Sequence, residues 1–235
     1  MFGMEKSSFV FVLGFALVAS AFAQQSIGNC EADFAGCSAQ YSSFDGRQKT
    51  SIDKALNSFT NQLLDKSFKF LFMSSAFNKY DQDRPGFKKL YRKISDKAWE
   101  DMVDLIKYES RRGAYVKLSD SKVNAKTFEK ILEADEMGSL KTALDFEKTM
   151  ADKAHELHKQ VSHDHHTKSG NNQINYDPDT AHYLDEKIIE YQSGVIRDLA
   201  GYVQTLDKIT KSELGKEKAQ DLALHLFDEY LEKSL

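Results

Sequence analysis

Residues 81–113 read DQDRPGFKKLYRKISDKAWEDMVDLIKYESRRG and contain the signals that begin and end one long helix. Pro85 suits the first turn of a helix, because the amide hydrogen that proline lacks has no partner at that position. Apolar residues then recur at helical spacing as far as Arg111, where basic side chains meet the negative end of the helix. Gly113 can adopt the left-handed conformation that closes a helix. The stretch therefore predicts a long helix with defined ends.

A second long helix precedes this stretch, over about residues 48–78. Its apolar residues also recur at helical spacing: Ile52, Leu56, Phe59, Leu63 and Phe70. At 1.5 Å per residue it extends roughly 45 Å, longer than most helices of globular proteins. Because only a short turn after residue 78 separates the two helices, they should pack as antiparallel neighbours.

The remaining chain predicts two more long helices and one short helix. Residues 114–137 show weak periodicity and are long enough to cross the length of a bundle. A third helix follows, and Asp177 and Pro178 supply the N-cap and the first turn of a fourth. A shorter amphipathic segment after Gly215 predicts a fifth helix near the C-terminus. Two helical hairpins joined by one long crossover predict an all-α four-helix bundle, whereas cytokine-type bundles need two long crossovers.

Composition and the N-terminus indicate where the protein resides and what it does not bind. The formal net charge of -4 gives no basic footprint for nucleic acid. Lys6, the apolar run over residues 9–19 and the small residues up to Ala23 predict a signal peptide at 1–23 and a secreted protein. The apolar run is too short to span a bilayer, so no membrane insertion is expected.

Both cysteines of the chain lie just after the predicted cleavage point. They fall in an extension over residues 24–47, which precedes the bundle domain at 48–235. Cys30 and Cys37 would reside in an oxidising compartment, where thiols tend to pair. They could close a small loop within the chain, or either could bond another subunit. The sequence leaves both pairings open.

Short motifs follow one another through the mature chain. They are FLFM at 70–73, RPGF at 84–87, RRG at 111–113, ALDFEK at 143–148, AHYL at 181–184, IRDL at 196–199 and LFDEYL at 226–231. Their order and spacing resemble those of the secreted ferritins of insects, and within that family the light-chain type. The resemblance implies the ferritin-like form of the bundle, an iron-storage role and a ferric mineral core. It also implies a hollow shell built from copies of this chain and heavy-chain subunits.

The resemblance also indicates which residues of an iron-oxidising site are missing. Such a site requires carboxylates and a histidine that project inward from the four helices. The expected glutamate of the first helix falls at Leu63, and the Glu-x-x-His pair of the second falls at Ala98 and Asp101. Only Glu147 and Gln192 match the pattern, and they hardly offset the cost of dehydrating two irons. We therefore expect no enzyme activity, with Glu147 and Gln192 a vestigial hydrogen-bonded pair.

A light chain is expected to nucleate mineral on clustered carboxylates of the second helix. The aligned positions are Lys93, Asp96, Lys97 and Glu100. Asp96 and Glu100 are four residues apart and share a face, where two carboxylates could gather ferric ions. The two lysines favour the alternative, which is a solvated face of ion pairs.

The threefold channels of the family supply the last candidate site. Acidic residues near the start of the fourth helix and a histidine of the third line these channels. His158 matches the histidine and Asp185 matches one acid, whereas His182 occupies the other acidic position. A channel with one carboxylate fewer attracts cations less strongly. We therefore do not expect these channels to be the main iron route.

Two other functions stay open at this point: a ferroxidase with a rearranged site and a secreted helical signalling protein. The pairs Asp152 with His155 and Asp179 with His182 imitate the spacing of di-iron ligands but lie near helix ends. The histidine-rich residues 163–166 are expected to be a solvated loop. Oxygen-dependent turnover by the isolated chain would favour the ferroxidase. A monomer or dimer without a cavity would favour the signalling protein.

Overall fold

A computed structural model describes residues 51–119, 129, 131, 133–162, 176–211 and 217–235 of the chain, all within one compact unit. The longer elements in chain order are α1 (Ser51–Ala76), α2 (Pro85–Arg111), α3 (Glu136–Ser162), α4 (Pro178–Leu184), a π-helical turn (Asp185–Ile189), α5 (Glu190–Lys211) and α6 (Glu217–Ser234). The described residues contain no strand. The predicted signal peptide, the extension with Cys30 and Cys37, and residues 163–166 lie outside the described residues.

The helix ends follow the signals in the sequence. Pro85 is the first residue of α2, and Gly113, which follows its end, has a φ of 83°. At the start of α4, Asp177 Oδ1 accepts a hydrogen bond of 3.1 Å from the backbone nitrogen of Thr180. These caps satisfy backbone groups that a helix end otherwise leaves unpaired. The predicted boundaries at Pro85, Arg111 and Asp177 are confirmed.

The helices pack as a bundle around two apolar clusters. α1 packs against α2, α3 packs against α5, and α6 packs against α2. One cluster is mainly aliphatic and includes Ile52, Leu105 and Leu157. The other contains stacked and tilted rings, with the ring centroids of Phe77 and Phe87 5.1 Å apart. The all-α bundle predicted from the sequence is confirmed.

The fourth long helix differs from the prediction. It was expected to be continuous, but the π-helical turn Asp185–Ile189 separates α4 from α5. A π-helical turn hydrogen-bonds across five residues instead of four and is found mostly as a single turn inside an α-helix. Leu184 and Ile188 are both buried on the bundle side of this turn. Because the apolar stripe continues through the turn, sequence periodicity does not indicate it.

The C-terminal helix α6 is anchored to the start of α2. Asp228 is buried, and its Oδ1 accepts a 2.9 Å hydrogen bond from the backbone nitrogen of Phe87. Gly86 is in such close contact with α6 that an added Cβ would lie 2.0 Å from the Asp228 backbone oxygen. A carboxylate at a helix N-terminus is also favoured by the helix dipole. The RPGF and LFDEYL motifs are therefore in direct contact.

The apolar residues predicted for α6 do not all enter the core. Phe227 and Leu231 are buried, whereas Leu222, Leu226 and Tyr230 are more than half exposed. The helix thus has one apolar side in the bundle and a second on its surface. None of the described helices combines the length and the apolar character that crossing a bilayer requires.

Candidate metal centre

A buried ion pair occupies the middle of the bundle. Lys66 on α1 donates from Nζ to Glu147 Oε2 on α3 at 2.8 Å. Lys66 is 5% exposed and Glu147 is fully buried. Taking either charge out of water alone would cost several kcal/mol, so each charge requires the other at this depth. The carboxylate that the sequence singled out is therefore neutralised by an ammonium group from the same chain.

Gln192 on α5 joins this pair. Its Nε2 lies 3.3 Å from both Glu147 Oε2 and the Glu147 backbone oxygen, and it donates to them. The structure thus brings together the two residues that match the family's metal-site pattern. Glu147 Oε1 and Gln192 Oε1 are buried and accept no hydrogen bond from the described residues. Two acceptor atoms at the centre therefore have no donor among the described side chains.

The other aligned positions are apolar or occupied by a second ion pair. Leu63 and Ala98 are 2% and 1% exposed and contribute no ligand atom. Asp101 Oδ1 accepts a hydrogen bond from Lys97, and Lys97 Nζ also lies 5.0 Å from the centre of the Tyr191 ring. Burial raises the pKa of Asp101, while the charge of Lys97 opposes that rise. The Asp101 carboxyl is therefore already paired with Lys97.

Sequence reasoning missed Lys66. The resemblance assigns no role to this position, which lies three residues after Leu63 on α1. Residues three apart lie on the same face of a helix, so Lys66 faces the same interior as Leu63. A lysine on the inward face of an amphipathic helix was the signal that could have indicated a buried partner carboxylate.

The predicted nucleation residues lie on the outer face of α2. Arg92 Nε donates to both carboxylate oxygens of Asp96, at 2.8 and 2.9 Å. The Asp96 side chain is 53% exposed, and Glu100 is exposed without an ion pair among the described residues. Asp96 is therefore partly neutralised, while Glu100 has its charge free for a cation.

The predicted channel residues form two pairs around the start of the fourth helix. His158 Nε2 on α3 lies 3.2 Å from Asp185 Oδ2, and His182 Nε2 lies 3.6 Å from Glu186 Oε2. Glu186, which the sequence pattern did not indicate, places a carboxylate beside His182. Lys187 hydrogen-bonds to Glu186 and lowers its pKa, so this carboxylate is ionised at neutral pH.

The two Asp-x-x-His pairs do not come together. Asp152 and His155 are exposed on α3. Asp179 accepts hydrogen bonds from Arg112 at 3.1 Å and from the Tyr108 hydroxyl at 2.9 Å. In the described part of the chain, no three His, Cys, Asp or Glu side chains form a group with the geometry of a metal site.

Comparison with known proteins gives consistent matches over most of the chain. The family model of the ferritin-like domain matches residues 53–170. The ferritin light chain of Drosophila melanogaster is 36% identical over 217 residues, which cover 91% of this chain and 84% of that protein. The ferritin light chain of Trichoplusia ni is 33% identical over 201 residues, with 85% and 82% covered.

A solved structure agrees with these matches. The crystal structure of Trichoplusia ni secreted ferritin superimposes with a TM-score of 0.72 and 30% sequence identity. The superposition covers 86% of this chain and 91% of the crystallised chain. The order of the long helices and the fold of the bundle are therefore shared with that protein.

Proposed function

This chain belongs to the ferritin family, and from that membership we propose that it is an iron-storage subunit of the light-chain type, without an iron-oxidising centre of its own. The single observation that carries this proposal is the Lys66 ammonium in the centre of the bundle, 2.8 Å from Glu147. The similarity to two insect ferritin light chains supports the same assignment.

The physical argument concerns competition between an ammonium group and iron. Ferrous and ferric ions favour sites with several anionic oxygens, which offset the loss of their hydration shells. At this centre Lys66 already neutralises Glu147, and Leu63 and Ala98 supply hydrocarbon where ligands are needed. An iron ion would have to displace a buried cation or leave it beside a second cation. Both alternatives disfavour a pair of irons at this site.

We test the proposal by ferrous oxidation in stopped-flow absorbance, using the assembled protein made from this chain alone. The wild type should oxidise iron no faster than buffer does. The variant Leu63→Glu, Ala98→Glu, Asp101→His restores the expected ligands, and a second variant adds Lys66→Ala. We expect a clear gain in rate only when Lys66 is also removed, because the ammonium would otherwise occupy the restored centre.

The matched control is Lys69→Ala in the restored variant, since Lys69 lies one turn further along α1 with its Nζ 4.1 Å from the ring centre of Phe146. It removes one lysine of α1 without removing the partner of Glu147. Rapid oxidation by the wild type that is lost in Glu147→Ala would replace our proposal with a ferroxidase. A correctly folded variant lacking Lys66 that shows no gain would refute our account of the centre.

The roles of the surface residues are part of the same proposal. We infer that Glu100, with Asp96 beside it, gathers ferric ions as mineral forms, and that His158, Asp185, His182 and Glu186 bind ferrous ions in transit. The exposed Glu100, which has no ion pair among the described residues, supports the first role. The exposed carboxylates of Asp185 and Glu186, each beside a histidine, support the second. Glu100→Gln should lengthen the lag before mineral growth. Glu186→Gln should slow iron uptake only slightly, since these channels are not expected to be the main iron route, and should leave that lag unchanged.

We further propose that the chain is secreted and assembles with heavy-chain subunits and copies of itself into a hollow shell that holds a ferric mineral core. The structural similarity to a secreted ferritin supports the location. The same proposal includes disulfide bonds of Cys30 and Cys37, either with each other or with another subunit. Purification from the source, followed by particle imaging and mass spectrometry of the copurifying chains, tests the assembly directly.

A further inference from the structure

Three lysines form a stripe along the exposed face of α2. Lys89, Lys93 and Lys97 follow one another at four-residue intervals, so they lie on one face of the helix. At 1.5 Å per residue the stripe is about 12 Å long. Like charges at this spacing destabilise a helix. The stripe therefore places like charges side by side at this surface.

The stripe lies in a groove with defined walls. The groove has a volume of about 780 Å³ and extends along the first half of α2. Glu232 of α6 and Leu235, which follows that helix, lie at one side, and Tyr191 of α5 lies at another. Its charged lining comprises five cationic side chains and three anionic ones, and the anionic ones include Asp96 and Glu100, which we assign to ferric ions. This excess of positive charge contrasts with the net charge of -4 for the whole chain.

The three lysines differ in how far their charge is neutralised. Lys97 is paired with the Asp101 carboxylate. Lys89 donates to the backbone oxygen of Glu232 at 2.7 Å, which orients its ammonium group but leaves a net positive charge. Lys93 is exposed and makes no hydrogen bond or ion pair within the described residues. Within the part of the chain that the structure describes, the ammonium groups of Lys89 and Lys93 therefore have no anionic partner.

We propose that this groove binds a phosphate-class oxyanion, held between the ammonium groups of Lys89 and Lys93. An oxyanion with more than one negative charge offsets the repulsion between both lysines at once, which a single carboxylate does less well. Lysine ammonium groups commonly bind phosphate as compact point charges. The length of the stripe also allows a short linear polyphosphate to contact more than one lysine.

The proposal is tested by equilibrium binding to the iron-free assembled protein, because iron itself would bind phosphate. Inorganic phosphate and tripolyphosphate are titrated separately into the protein at fixed low ionic strength. Isothermal titration calorimetry measures the heat of binding. We expect saturable binding of at least one of the two, and Lys93→Gln should weaken it by about tenfold or more. The relative affinities of the two probes tell whether the groove prefers a free phosphate or a chain of phosphate groups.

The control variant is Lys148→Gln on α3. Lys148 is also exposed and has no hydrogen bond or ion pair among the described residues, so this change removes the same charge elsewhere. Lys148→Gln should bind as the wild type does, and Lys93→Arg should retain most of the affinity. Absence of saturable binding by both probes, or equal weakening in both glutamine variants, would overturn the proposal.

Discussion

At the C-terminal end of α2, the guanidinium of Arg112 donates to both carboxylate oxygens of Asp177, at 3.1 and 2.7 Å, and to Asp179. In the centre of the bundle, the ammonium of Lys66 reaches only one oxygen of Glu147. Both regions bury opposite charges. In the end region, the planar guanidinium of Arg112 bonds two carboxylates in a fixed geometry. In the central region, Glu147 Oε1 has no donor among the described residues.

The difference shows that burial of charge has two different consequences in this molecule. The Arg112 network joins the end of α2 to the first turn of α4, where Asp177 is also the helix cap. It therefore determines the position of the residues that follow in α4. The central pair joins no helix end, and its unpaired acceptors reduce what it contributes to stability. We infer that the end network is structural and that the central pair mainly excludes other cations.

Arg112→Ala should give the largest effect. The change leaves Asp177 buried without its cation, and the loss of one partner from a buried pair typically costs about 3–5 kcal/mol. The free energy of unfolding is measured by guanidinium denaturation followed by circular dichroism. The neighbouring Arg111→Ala is the control, because Arg111 is exposed and should change stability by less than about 0.5 kcal/mol. Equal effects of the two variants would contradict the distinction between the regions.

The ends of the helices could be predicted from the sequence because their signals are local. Pro85, Gly113 and Asp177 act through backbone conformation and hydrogen bonds within a few residues. The contact between Asp228 and the start of α2 could not be predicted in this way, since 141 positions separate Phe87 from Asp228. Only the folded bundle brings those two segments together.

The other end of α2 provides the second test of the comparison. Gly86→Ala places a Cβ in the space that the Asp228 backbone oxygen occupies, so α6 must shift. We expect destabilisation of about 2–3 kcal/mol, as for other overpacked sites. Calorimetric unfolding measures the destabilisation, and the rate of proteolysis in α6 reports the shift of that helix. Gly201→Ala, where the added Cβ meets nothing within 4 Å, should instead stabilise helix α5 slightly.

Substitution of Glu109 tests whether a buried carboxyl near the end of α2 always stabilises the fold. It accepts a 2.7 Å hydrogen bond from Thr60, but burial raises its pKa to about 7 and the nearby charge of Asp53 adds to the rise. Because the pKa is higher in the folded state, this group favours folding at low pH. That contribution is lost as the pH rises from about 4.5 to about 7.

Glu109→Gln should therefore remove part of this pH dependence. We expect the variant to match the wild type near pH 4.5 and to exceed it near pH 8 by on the order of 2 kcal/mol. Thermal unfolding at a series of pH values measures the difference, with the exposed Glu156→Gln as the control. A wild type that gains stability between pH 5 and pH 7 relative to the variant would contradict the sign.

The candidate site shows how far residue-by-residue reasoning extends. The family resemblance predicted that three positions face the interior of the bundle: Leu63, Ala98 and Glu147. The structure buries all three. Lys66 was missed because a lysine is usually exposed, and its burial depends on a carboxylate 81 residues further along the chain. Glu186 was missed because it lies outside the channel positions that the family resemblance indicates, one helical turn after His182.

The smallest effect is expected in the centre, when both members of the ion pair are replaced together. Lys66→Met with Glu147→Leu exchanges two charges for hydrocarbon of similar volume, and it also removes the unpaired Glu147 oxygen. Replacing a buried pair in this way is often neutral, so the double variant should remain within about 1 kcal/mol of the wild type. Each single variant should be less stable than the double variant, because it leaves a lone buried group. If the double variant is as unstable as Arg112→Ala, then the central pair supports the bundle as strongly as the end network does. In that case its role in excluding cations would no longer explain why a lysine is buried there.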